Sequence, residues 1–115
     1  MKRDIDLIRH LLIQTEEGRL PEAMKNYTEE QILYHCGLAI EAGILTGQVV
    51  HGSQGEIVAA TIQKLTWEGH DFLDSARSEK NWKKAKDRIV ETGGSWTFAV
   101  VKSLLVEIAK HALIQ

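Results

Sequence analysis

The chain has 115 residues, 43% of them hydrophobic and 26% charged, with a formal net charge of −2. That length suits one compact domain with a real core, and nothing in the charge total demands a nucleic-acid or membrane partner. The single cysteine, Cys36, excludes an internal disulfide, and no apolar run approaches the roughly 20 residues of a membrane span. The start "MKRDIDLIR" sets charges among its apolar residues, unlike a signal peptide, so a soluble cytoplasmic protein is expected.

The first predicted helix covers about residues 4–17, with Asp4 as its cap and Gly18 as its end. Ile5, Ile8, Leu11 and Leu12 share a face flanked by Leu7, while Asp6, Arg9, His10 and Gln14 fall opposite. A connection follows, with Gly18 and the only proline, Pro21. The second helix opens on "YTEEQI". Thr28 and Gln31 have the spacing of a capping box, and Tyr27 and Ile32 that of a hydrophobic staple. Ile32, Cys36, Ala39 and Ile40 form its apolar stripe, with Leu33 at the edge. Gly43 is placed to end it in the left-handed conformation, and Ile44 to fold back on the last turn.

"ILTGQVV" and "EIVAATIQKL", separated by "HGSQG", predict a β-hairpin. Strict alternation puts Ile57, Ala59, Thr61 and Leu65 on one face of the second strand, and Val58, Ala60 and Ile62 on the other. Thr66 should cap a third helix, about 67–78, with Gly69, Phe72, Leu73 and Ala76 as its stripe. Trp67 points nearly opposite that stripe, so it is expected to meet the C-terminal helices. A fourth helix, about 79–91, carries Trp82, Ala85 and Ile89 on one side and a lysine-rich surface on the other. "TGG" at 92–94 breaks it, and Ser95 is expected to cap a last helix reaching about Leu113.

A helix closed by glycine and followed at once by a hairpin is the layout of a winged helix: the helix is offered to DNA and the hairpin is the wing. The expected fold is therefore mainly α with a small β-hairpin. It comprises a winged helix-turn-helix-like domain at 1–78 and a helical extension at 79–115 within the same compact unit. The stretches "MKRDIDLIRHLL", "YTEEQILYHCGLAIEAGIL" and "LTWEGHDFLDSAR" resemble an uncharacterised winged-helix family of hypothetical proteins from bacteria and their phages. That resemblance implies the fold and brings neither catalytic residues nor a ligand.

Charge is unevenly spread. Residues 28–63 hold four acids and no Lys or Arg, whereas residues 64–91 hold seven bases and six acids. On the second helix, Gln31, Tyr34 and His35 have side chains that can read bases, yet phosphate contacts come from Lys and Arg, which this helix and the hairpin tip lack. The same face could equally make a protein contact around Tyr34 and Leu38. The basic cluster "RSEKNWKKAKDR", with Arg77, Lys80, Lys83 and Lys84, is the natural phosphate holder if DNA binds, or else a solvated helix face.

The apolar last helix must be covered, either by its own domain or by a second copy; Val101, Leu105, Ile108 and Ala112 are the residues expected across a two-fold axis. No spacing suits a metal, and no catalytic or cofactor-binding residue stands out. His35 and Cys36 are adjacent on a helix and diverge by about 100°, while His70 and Asp74 are placed for a structural hydrogen bond. The expected function is a non-enzymatic DNA-binding or regulatory module that meets double-stranded DNA, as a homodimer or with a protein partner. The alternative is a protein-interaction module on the same scaffold without DNA binding.

Overall fold

The computed structural model describes residues 1–19 and 21–114; for 112–114 the backbone alone is described. The fold is mainly helical. Helix α1 spans Ile5–Glu17, α2 Glu29–Glu41, α3 Trp67–Ala76, α4 Glu79–Thr92 and α5 Phe98–Ile114. Strands β1 (Leu45–His51) and β2 (Ile57–Leu65) pair antiparallel, and a 3-10 turn occupies Glu22–Asn26. Residues group into two compact units, Met1–His70 and Asp71–Gln115, whose boundary falls inside α3.

In the first unit the helix ends are built from the expected residues. The Asp4 carboxylate accepts from the N–H groups of Asp6 and Leu7, and Gly18, at φ 74°, closes α1 by donating to Gln14 O at 2.8 Å. Thr28 Oγ1 accepts from Gln31 N–H, and Gln31 Oε1 accepts from Thr28 N–H at 2.8 Å, completing a reciprocal cap for α2. At the far end, Gly43 has φ 76°, and the N–H of Ile44 donates back to Ala39 O. Ile44 is thereby buried, whereas Ile40 is only half-buried. Leu7, Leu11, Met24 and Cys36 form a core cluster, with Tyr27, Ile32, Ala60 and Ile62 packed on it. The first helix buries more than its apolar stripe: Arg9, expected outside, is 6% exposed, because α1 packs against both α2 and β2.

The order helix, 3-10 turn, helix, hairpin is winged-helix-like, with the 3-10 turn where a short helix would stand. The hairpin corrects the alternation expected for β2. Ala60 and Ile62 face the core with Leu65, while Ala59 and Thr61 are exposed. The pairing explains why. Thr46 pairs with Lys64 but Gly47 pairs with Ile62, and Val50 pairs with Ala59 but His51 pairs with Ile57. Gln63 and Val58 are therefore extra residues on β2, and each inverts the alternation beyond it.

Thr66 caps α3 as expected, accepting from Gly69 N–H at 3.0 Å while its own hydroxyl donates to Gly43 O. Gly69 lies so close to the Ile44 carbonyl that a Cβ there would clash with the backbone. These contacts fix the phase of α3 and turn Trp67 outward. It is 79% exposed. His70 also departs from expectation: its Nδ1 lies 3.8 Å from Glu16 Oε2, while Asp74 pairs with Arg77.

In the second unit, Ser78 caps α4 and Gly93, at φ 67°, ends it. Trp82, Ala85 and Ile89 are buried, as their spacing requires. Phe72 stacks on Phe98, with ring centroids 4.6 Å apart, and meets Trp82 edge-on at 6.2 Å. The last helix begins at Phe98, later than expected. Thr97, not Ser95, supplies the cap, its hydroxyl accepting from Val100 N–H.

Candidate interaction site

The outer face of α2 is less available to DNA than its sequence implies. His35 is 1% exposed. Its Nε2 accepts from Asp4 N–H at 2.8 Å, so its Nδ1 carries the proton and donates to Gln31 O at 2.7 Å. Both ring nitrogens are used within the fold, which removes His35 from the base-reading set. The physical reason is that the residues preceding α1 fold over this flank of α2. Gln31 is half-buried, and its side-chain carbonyl is committed to the cap. Tyr34 is half-buried and meets His35 edge-on at 5.6 Å.

What α2 and the hairpin form together is a groove of about 310 Å³, lined by Met1, Glu29, Glu30, Leu33, Tyr34, Glu56 and Ile57. Its apolar members come from α2, the start of β2 and Met1. Its three carboxylates come from the first turn of α2 and the hairpin turn, and none forms an ion pair among the described residues. Glu56 also accepts from Gln54 N–H, which ties it to the turn. Of the groove residues, the sequence reading singled out only Tyr34 as a contact. Glu29 and Glu30 also lie in the first turn of α2, where negative charge favours the helix start. The available signal was the lack of Lys and Arg from 28 to 63.

The basic cluster lies on the solvent side of α4. Lys80, Lys83 and Lys84 are exposed; Lys83 has Asp87 at 3.4 Å, and Arg77 has Asp74 at 3.2 Å. Trp82 is buried beneath this face and cannot stack on a base. The proposed two-fold contact is also corrected. Val101 and Leu105 are 1% and 0% exposed, so they belong to the protomer's core. Ile108 is half-buried beside Lys84, Asp87, Arg88 and Glu91. The side chain of Ala112 lies outside the described residues.

Cys36 is buried, and burial pushes its thiol pKa up, away from the reactive thiolate. No group of three or more His, Cys, Asp or Glu among the described residues could hold a metal ion. No helix among them is long and apolar enough to cross a membrane.

The elements define a mainly helical protein with one antiparallel hairpin. Residues 2–95 match the DUF2513 family of hypothetical proteins, and the chain belongs to that family. It is 29% identical over 119 residues to an uncharacterised protein of Haemophilus influenzae, covering 98% of this chain and 99% of the relative. No solved structure matches significantly.

Proposed function

We propose that this protein is a cytoplasmic, non-enzymatic interaction module on a winged-helix scaffold, and that its α2–hairpin face binds protein, not DNA. The observation that carries this reading is the charge of that face. Glu29, Glu30, Glu41 and Glu56 stand there with no Lys or Arg between 28 and 63, so a phosphate backbone would meet repulsion. The burial of His35 and the capping role of Gln31 weigh in the same direction. The association with bacteria and their phages is an implication of the family resemblance, and it fits a small regulatory adaptor.

DNA binding through α4 is the second reading, favoured by the exposed Lys80, Lys83 and Lys84. One titration separates the two. Random duplex DNA is followed by fluorescence anisotropy at about 50 mM and about 200 mM salt, where phosphate-driven binding weakens steeply. The protein-interaction reading expects no binding at either salt. Salt-dependent binding lost in Lys80→Glu, Lys83→Glu, Lys84→Glu would move the function to α4. Binding that survives that triple change but is lost in Tyr34→Ala would restore α2 as a recognition helix.

A further inference from the structure

Resting on the protein-binding reading, we infer that the groove between α2 and the hairpin takes a basic, amphipathic peptide segment, one that seats an apolar side chain between flanking Lys or Arg residues. The groove sets both requirements. Of its apolar members, Leu33, Tyr34 and Ile57 are half-buried and Met1 is exposed, so each leaves surface that a partner can cover. A space of about 310 Å³ suits one or two large apolar side chains, not a folded domain face. Around them stand Glu29, Glu30 and Glu56, all exposed and none in an ion pair among the described residues.

Three carboxylates in no ion pair among the described residues, beside an apolar strip, favour cations at the rim and disfavour an acidic segment or a phosphate. Glu29 and Glu30 project from the first turn of α2, and Glu56 Oε2 accepts from Gln54 N–H. Glu56 is thus positioned before the partner arrives, which reduces the ordering needed on binding. Tyr34, with an apolar ring and a polar hydroxyl, is the residue type that anchors such contacts.

The test is selection from a library of random short peptides displayed against the intact protein, followed by anisotropy with the enriched peptides. Enrichment of sequences with Lys or Arg bracketing Leu, Ile or an aromatic residue is expected, with affinity that falls as salt rises. Glu30→Lys should weaken those peptides at least about tenfold, and Tyr34→Ala by a similar factor. Glu30→Gln, which keeps the shape and removes the charge, should weaken them by a smaller factor. Thermal melts of each variant show that the fold is intact.

Enriched peptides that are acidic or lack charge would overturn the inference. So would basic peptides whose binding ignores Glu30→Lys and Tyr34→Ala; in that case the protein-binding reading survives with its surface elsewhere. Duplex DNA that competes with the peptides for this groove would overturn both.

Discussion

His35 shows how one side chain can change a functional reading. Its ring joins the backbone before α1 to the first turns of α2, and both partners are main-chain groups. His35→Ala would strand the Asp4 N–H and leave a void. The expected destabilisation is about 2–4 kcal/mol, measured by urea unfolding. A loss below about 0.5 kcal/mol would mean that water replaces the ring without penalty. Tyr27 makes a second residue-scale prediction. Its pKa is raised to about 12, first by burial, then by the charges of Asp4 and Asp6 and a hydrogen bond with the Asp4 side chain. A raised folded value means that the neutral phenol stabilises the fold. That contribution is complete below pH about 10, the ordinary tyrosine value, and is lost as pH rises toward 12. An absorbance titration of the phenolate should show this late step, and Tyr27→Phe should remove it.

At the scale of elements, the caps of α1 and α2 were legible and the strand phase was not. Asp4, Gly18, Thr28, Gln31 and Gly43 all take the roles that their chemistry implies, since a cap is satisfied within a few residues of chain. The extra residues in β2 are decided across the hairpin, where Gly47 and Ile62 come into register, and no local signal marks them. The same distinction separates Ile40 from Ile44. Helical spacing puts Ile40 on the stripe, yet the backbone reversal at Gly43 buries Ile44 more deeply. Ile44→Ala should therefore cost about 2–5 kcal/mol and Ile40→Ala clearly less, an order that denaturant midpoints would check. Gly69→Ala should cost about 1–3 kcal/mol, because its new methyl meets the Ile44 carbonyl, a backbone atom that cannot rotate away. Wild-type stability in that variant would mean that α3 can shift freely from β1.

For the whole molecule, charge is divided between the two units. Residues 1–70 carry six bases and ten acids, a net −4, and residues 71–115 carry eight bases and six acids, a net +2. Any polyanion binding is therefore expected from the second unit alone. Leu105 gives a test of assembly. Because it is 0% exposed, Leu105→Asp should abolish the cooperative unfolding transition, not convert a dimer to a folded monomer. Light scattering alongside circular dichroism distinguishes these outcomes, and a folded, dissociated monomer would return Leu105 to an interface.

By itself, the sequence determined the succession of helices and hairpin, every cap named above except that of α5, and the charge of each stretch. These follow from hydrogen bonds and periodicities that close within a few residues. Only the tertiary structure decided that His35 is internal, that Trp67 is in solvent, and that Val101 and Leu105 belong to the core. It also brought Glu56 of the hairpin turn beside Glu29, Glu30 and Tyr34 of α2, more than twenty residues earlier in the chain. Periodicity says which side chains share a face, but not which face is covered. Covering depends on what the rest of the chain brings against it, and that is settled when distant segments pack.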